Sequence, residues 1–262
     1  MSSANTNGIS ASQRKNSIFE LLTERGNASV SQLAEMFSIS EVTIRSDLTE
    51  MEQMGLLRRV HGGAVSTKRA SYEMSLNERM DTNKNEKIRI AKACTELIKD
   101  GDSLIIDSGT TTQYLARELA ERSKLTIVTN ALLIAQEFAY NRSANVILLG
   151  GNLNLQYQFT FGLNAITQLQ NYRADKTIIS TDGIGVSHGL TTLHYQELDV
   201  MRLMIERSNE VIVVADHSKI GKEGFTYLTD ISSIDVLVTD KYFDNSPELD
   251  TFRKKGIIVK EV

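Results

Sequence analysis

Asp107, Ser108 and Gly109, followed by Thr110, Thr111 and Thr112, stand between an apolar run at 103–107 and a helical pattern at 111–121. At the head of such a helix the backbone N–H groups, the helix dipole and three hydroxyls converge on one point. That arrangement fits an anion, most simply a phosphate. A plain strand-to-helix turn with Ser and Thr as caps has the same composition, so the loop alone leaves both readings open. Walker A and dinucleotide glycine patterns are both missing. Other apolar runs end on polar groups that would complete a cleft: Thr129-Asn130, Gly150-Gly151, Asp182-Gly183, and Asp216 with Lys219. Each has a plainer role as well: Asn130 as a helix cap, the glycine pairs as turns, Asp182 as a turn former, Lys219 as a surface charge.

A second constellation occupies residues 29–65. Ser29 stands three residues before Gln32, the spacing of a capping box, and opens a helix that buries Leu33, Ala34 and Phe37. Phe37–Ser40 reads as the turn. Ser40 then caps a second helix in which Ile44, Leu48 and Met51 form one inward stripe, leaving Val42, Arg45, Ser46 and Thr49 on the opposite face, with Thr43 at the helix start. One long donor among short side chains suits a major groove. Gly55 ends this helix, and Leu56–Val60, His61-Gly62-Gly63 and Ala64-Val65 read as a hairpin whose Arg58, Arg59 and His61 meet phosphates. The ordered set is that of a winged helix-turn-helix that binds DNA; an interaction module built on the same elements is the competing reading.

The elements that must position the first constellation emerge from the apolar pattern. Apolar runs at 103–107, 125–129, 145–149, 176–180, 210–215 and 235–239 alternate with helical patterns at 111–121, 130–140, 196–207 and near 247–255, and IIVKEV closes the chain. Repeated strand-helix units with wholly apolar strands predict an α/β domain with a parallel sheet covered on both faces. Ligands of such a sheet sit at the carboxyl ends of its strands. The expected organisation is a flexible tail at 1–12, the winged helix-turn-helix at 13–66, a polar linker at 67–83 and the α/β domain at 84–262.

Composition agrees with two folded parts, since 262 residues with 41% apolar and 24% charged content can build a small and a larger core. The net charge of −4 is unequally shared: residues 1–69 hold 8 Lys/Arg against 7 Asp/Glu and the rest 21 against 26. DNA affinity then depends on where Arg45, Arg58, Arg59, Lys68 and Arg69 sit and on dimerisation supplying two half-sites. Cys94, the single cysteine, lies in the helical stretch 84–98 and reads as a buried small hydrophobe in a reducing cytoplasm. His61, His188, His194 and His217 show no spacing typical of a metal site, so no metal and no cofactor are expected. MSSANTNGISASQ has no apolar core of a signal peptide, and no stretch approaches a membrane span.

The run SEVTIRSDLTEMEQMGLLRRVHGGAV resembles the DNA-binding domain of the DeoR family of bacterial sugar-metabolism regulators, usually repressors, and 13–25 fits the helix that precedes it. Ser46 stands where members often carry a second basic residue after Thr-Ile-Arg, which implies a changed operator preference. The second part also resembles the family's sensor domain, similar in fold to ribose-5-phosphate isomerase and glucosamine-6-phosphate deaminase. The resemblance implies phosphate binding by Gly109, Thr110, Thr111 and Thr112, with Asp107 toward sugar hydroxyls. It further implies pocket positions at Thr129, Asn130, Gly151, Asp182, Gly183, Glu197 and Lys219. The same resemblance implies a homodimer or homotetramer that leaves operator DNA when a phosphorylated sugar binds.

This sequence departs from the family pattern at Ser180-Thr181, at Leu193-His194-Tyr195-Gln196 and at His217, all expected on the sugar side of the cleft. Tyr157–Phe161 offers either a wall or a subunit contact. An enzyme reading, a phosphosugar isomerase or deaminase with Asp182, Glu197 or His194 as acid and base, competes. Against it, the DGHIAF-like loop of the deaminases is replaced by DGIGVSHGL.

Overall fold

A computed structural model describes residues 11–53, 56–66, 74–241 and 246–262, and the chain divides into two compact units between Met74 and Ser75. Gly55, Lys68 and Arg69 lie outside the described residues, as does most of the expected tail.

The first unit runs α1 (Ala11–Arg25), β1 (Asn27–Ser29), α2 (Val30–Phe37), α3 (Glu41–Gln53), β2 (Leu57–Val60) and β3 (Gly63–Ser66). Ser29 forms the capping box with Gln32: its hydroxyl accepts from Gln32 N–H at 3.1 Å, and the Gln32 side chain accepts from Ser29 N–H at 2.9 Å. Helix α2 extends through Phe37, and the turn begins at Ser38 in the left-handed region (φ 53°), one residue later than the sequence pattern implied. Ser40 accepts from Thr43 N–H at 3.2 Å and so caps α3. Ile44, Leu48 and Met51 are fully buried with Ile18, Leu22 and Leu33. The hairpin of β2 and β3 turns at His61-Gly62, Gly62 taking φ +81°, and β1 adds an antiparallel third strand to β3 that the sequence did not announce. Helix α1 starts at Ala11, inside the span assigned to the tail.

The second unit begins earlier than expected. Residues 76–81, read as linker, form a helix, α4 (Leu76–Asp81), opened by a capping box between Ser75 and Glu78. Next come α5 (Lys84–Thr95), β4 (Ser103–Ile106), α6 (Thr110–Leu119), β5 (Thr126–Thr129), α7 (Leu132–Glu137), β6 (Asn145–Leu148), β7 (Asn152–Asn154), β8 (Phe159–Phe161) and α8 (Leu163–Leu169). The remainder is β9 (Ala174–Ser180), β10 (Gly183–Gly185), β11 (Gly189–Thr192), α9 (Leu198–Glu206), β12 (Ser208–Val214), β13 (Thr226–Thr229), β14 (Val236–Thr239), α10 (Pro247–Lys254) and β15 (Ile258–Glu261).

Seven strands pair in parallel in the order β15-β14-β12-β9-β4-β5-β6. Alternation sends Leu104 and Ile106 into one core with α5, α6 and α7, and Ile105 into another with α8, α9 and α10. Both faces are thus covered, as the apolar strands required. The chain steps from β4 through β5 to β6 on one side and resumes at β9 on the other side of β4. The crevice between the carboxyl ends of β4 and β9 is therefore the topological switch point, where open α/β sheets bind ligands. Two features were missed in the sequence: the antiparallel sheet β10-β11-β13 and the β7-β8 hairpin. Their strands of three or four residues are too short for a periodic signal.

Candidate functional sites: a helix-turn-helix face and a cleft at the switch point

On α3 the outward face is built as its pattern implied. Val42, Thr43, Arg45 and Ser46 are exposed, Val42 at 74%, a value that marks an apolar side chain not packed into the core of its own unit. Arg45 pairs with Glu41 at 2.8 Å one turn back, and the Thr49 hydroxyl donates to the Arg45 carbonyl at 2.7 Å. From the hairpin, Arg59 donates to the Thr49 hydroxyl at 2.8 Å, while its own N–H is held by Glu52 at 2.7 Å. The wing is thereby fixed to the helix beside it, with Arg59 and His61 exposed and Arg58 half-buried. On the inner face Asp47 receives two bonds from Arg14 of α1, at 2.6 and 3.2 Å, with both side chains nearly buried. A bidentate pair of this kind sets the angle of α3 against α1.

In the second unit, a cleft opens at the ends of β4 and β9. It is lined by Leu76 and Arg79 from α4, Asp107–Thr110, Tyr157, Ser180–Asp182, Thr192, His194, Glu197 and Met201. Asp107 bridges the two strands by accepting from Ser180 N–H at 2.9 Å, and its Oδ1 is buried with no hydrogen-bond partner among the described residues. Burial first, then repulsion from Glu197, push its carboxyl well above the ordinary range. Glu197, 2% exposed, accepts from Ser108 Oγ at 2.8 Å and Asn130 Nδ2 at 2.7 Å, and burial drives its carboxyl up to about 7 against those bonds. Asn130 keeps its own Oδ1 unpartnered among the described residues.

Gly109 heads α6 with no side-chain cap, so the first-turn N–H groups remain open to an incoming acceptor. Only glycine fits there, because a Cβ would come within 2.1 Å of Ser180 Oγ. The opposite wall carries Asp182, which accepts from Arg79 at 2.8 Å and from Leu193 N–H at 2.9 Å. Burial alone would raise the Asp182 carboxyl, but Arg79, with Lys219 and His194, holds it well below the usual carboxylate range. His194 meets the Arg79 guanidinium at 2.9 Å and packs 4.1 Å from the Tyr157 ring; burial pushes its imidazole down to about 4. The Arg79 guanidinium lies 5.6 Å from the same ring.

Of the residues expected to hold an effector, the structure brings Asp107, Gly109, Thr110, Asp182 and Glu197 together in the cleft lining, with Asn130 behind Glu197. Thr111 and Thr112 are buried beside it without lining it: Thr112 donates to the carbonyls of Asp107 and Gly109 at 3.1 and 3.0 Å and so stiffens the loop. Thr129 accepts from Ala131 N–H at 3.1 Å within its turn. Gly151 and Gly183 allow close backbone approaches, to the Phe161 and Lys222 carbonyls. Lys219 is absent from the lining; its charge acts on Asp182 and Asp216. Of the departures from the family pattern, Ser180, Thr181 and His194 do line the cleft. Leu193, Tyr195, Gln196 and His217 do not, and His217 faces Asp240 at 2.7 Å. Tyr157 is the wall that the aromatic segment offered. Leu76, Arg79, Thr192 and Met201 were not singled out in the sequence, and Ser108 was read only as part of its loop.

A winged helix-turn-helix followed in one chain by an α/β domain with a cleft at its switch point defines a ligand-responsive transcriptional regulator. Residues 14–70 match the DeoR-like helix-turn-helix domain and residues 82–241 the DeoR C-terminal sensor domain. The chain belongs to the DeoR family. It is 33% identical to the HTH-type transcriptional regulator GolR of Listeria innocua over 95% of this chain and 97% of that one. It is 36% identical to the glycerol-3-phosphate regulon repressor of Escherichia coli over 87% and 90% of the two chains, and 36% identical to the transcriptional repressor AccR of Agrobacterium fabrum over 95% and 98%. These relatives carry the names of regulators and not of enzymes. Among solved structures, ribose 5-phosphate isomerase A of Methanocaldococcus jannaschii aligns with 53% of this chain and 55% of its own, at 18% identity and a TM-score of 0.39. No helix among the described residues is long and apolar enough to cross a membrane.

Proposed function

We propose that this protein represses an operon for sugar or polyol breakdown and leaves its operator when a phosphorylated sugar occupies the cleft. One observation carries the effector class. A helix N-terminus without a side-chain cap and a buried Asp107 carboxyl oxygen that has no partner among the described residues line one cleft, a donor site for phosphate beside a hydrogen-bonding group for hydroxyls. Glycerol phosphate and sugar phosphates carry both groups. In this reading Gly109 and Thr110 hold the phosphate, Asp107 and Glu197 orient hydroxyls, and Asn130 and Thr112 keep those groups in place.

On DNA, Val42, Thr43, Arg45, Ser46 and Thr49 face bases, with Ser40 fixing the helix start, while Arg58, Arg59 and His61 meet phosphates. The weak positive balance of the first 69 residues favours a homodimer or homotetramer that engages two half-sites, acting in the cytoplasm.

The experiment is operator binding by the purified full chain, with DNA from upstream of its own gene, titrated at fixed salt with glycerol 3-phosphate, ribose 5-phosphate and hexose 6-phosphates. Release by one compound is the expected result. Salt-sensitive binding that no compound alters would refute the effector class, and a ligand that tightened the complex would reverse the sign.

A further inference from the structure

Three acidic residues line the cleft, Asp107, Asp182 and Glu197; burial raises the carboxyls of Asp107 and Glu197, whereas Asp182 is held ionised by Arg79, the one Lys or Arg among the described lining residues. An anionic ligand entering such a space needs a cation on its wall, and Lys219, the one basic residue among the pocket positions that the family resemblance implied, is not part of the lining. The Arg79 guanidinium is held at 2.8 Å by Asp182 and at 2.9 Å by His194, against the face of Tyr157, with 18% of its side chain exposed. It is a charge already ordered at the wall and reachable from the cleft.

The element that presents Arg79 is anchored from the other side. The Lys87 amine, 4% exposed, donates to the carbonyls of Arg79 and Thr82 at 2.5 Å each, closing the carboxyl end of α4. Asn83 donates to Asp216 at 2.9 Å and the Tyr114 hydroxyl to the Met80 carbonyl at 3.3 Å. Helix α4 is thus pinned to α5, α6 and the end of β12, and its arginine is directed at the ends of β9 and β11.

We propose that Arg79 is the cation that reads the ligand's phosphate, and that it does so by exchanging Asp182 for the phosphate oxygens. Asp182 keeps its bond from Leu193 N–H after the exchange and gains a free oxygen for a ligand hydroxyl. This role for Arg79 rests on the phosphosugar reading and gives it a residue and a direction.

The two partners are then expected to respond oppositely. Removing Asp182 removes the ligand's competitor for the guanidinium, whereas removing Arg79 removes the ligand's cation. Binding of inorganic phosphate, glycerol 3-phosphate, ribose 5-phosphate and hexose 6-phosphates to the full chain is followed by calorimetry and by the shift of its unfolding midpoint. Arg79→Gln is expected to weaken the binding of whichever of these saturates the wild type by about tenfold or more. Asp182→Asn is expected to tighten it, and Arg79→Lys to fall between wild type and Arg79→Gln. Equal affinity in Arg79→Gln and wild type overturns the role of Arg79 alone. A loss in Asp182→Asn matching that in Arg79→Gln also overturns it, because the pair is then a structural clasp. If none of these compounds saturates the wild type, the phosphosugar reading falls, and the role of Arg79 with it. Should Arg79→Gln fail to fold, the Asp182→Asn arm decides, since tighter binding there has no structural explanation.

Discussion

The recognition face of the first unit and the cleft of the second handle charge in opposite ways. On α3 and the wing the arginines are exposed or half-buried and make short-range pairs, Arg45 with Glu41 one turn away and Arg59 with Thr49 across ten residues. Such pairs are weakly held in water and open readily when a stronger anion arrives. In the cleft the charges are buried, shifted in pKa and joined over long stretches of chain, Arg79 to Asp182 across 103 residues and Ser108 to Glu197 across 89. In the proposed reading the first surface meets a polyanion from outside, and the second takes a small ligand onto groups whose hydrogen bonds are unmet among the described residues. Binding strength on the first comes from many shared contacts, and selectivity in the second from a few groups with unmet bonds.

The sharpest way to break this contrast is to act on the deeply buried ion pair of the first unit. Asp47→Ala leaves the Arg14 guanidinium in a nearly closed site without its carboxylate, a change that costs about 3–5 kcal/mol. The first unit is expected to unfold at markedly lower denaturant, with operator binding lost, while the unfolding of the second unit and any ligand binding there stay unchanged. Replacing both partners, Arg14→Met with Asp47→Leu, is expected to restore much of the stability. A single loss shared equally by both units would show that they do not unfold separately.

What could be read from the sequence follows the same division. The helix-turn-helix was legible almost residue by residue, because capping boxes, the Ile44-Leu48-Met51 stripe and the glycine turn are local signals with fixed spacing. The strands of the main sheet were legible for a similar reason, since burial on both faces demands unbroken apolar runs. Helix α4 was not. Six residues, LNERMD, are too few to show a helical period, and in a polar stretch they read as linker. With α4 the role of Arg79 was lost, as its partners come from β9 and β11 and only the strand order brings them close. Lys87 reads as one charge among many in KNEKIRIAK, yet packing buries it and pushes its amine down to about 8. Thr111 and Thr112, expected at a ligand, are buried and outside the cleft lining, and the Thr112 hydroxyl donates to the Asp107 and Gly109 carbonyls.

Smaller in effect, and specific to the cleft, is the pH dependence of its carboxylates. Glu197 rises to about 7 in the folded protein from an ordinary value near 4.5, so between those pH values the folded state holds a proton that the unfolded chain has released. Stability from this group therefore falls as pH rises from about 4.5 to 7 and is level above, amounting to about 3 kcal/mol over the window. His194, lowered to about 4 from 6.5, acts in the opposite sense: its contribution is lost as pH falls from about 6.5 to 4. The two oppose each other in the wild type. Glu197→Gln is expected to remove the first, giving a second unit that loses less stability than the wild type between pH 4.5 and 7 and whose unfolding midpoint is higher at pH 7.5. Parallel pH profiles for variant and wild type would assign the proton to Asp107, the neighbouring acid that burial also raises.

The smallest expected effects lie on the DNA face, and they separate its two kinds of arginine. Arg45 sits on the outward side of α3 near its start, and in the proposed reading its guanidinium meets base edges, so Arg45→Ala is expected to cost about 1–3 kcal/mol on the operator and to narrow the gap between operator and unrelated DNA. Arg59 stands on the wing and its side chain reaches α3 through Thr49, so Arg59→Ala is expected to weaken binding to all sequences about equally and to reduce the salt slope by about 1. Affinities measured on operator and scrambled duplex across a salt series read both effects at once. If Arg59→Ala altered sequence preference more than Arg45→Ala did, the wing and not the helix would enter the major groove, and the two exposed arginines would exchange roles.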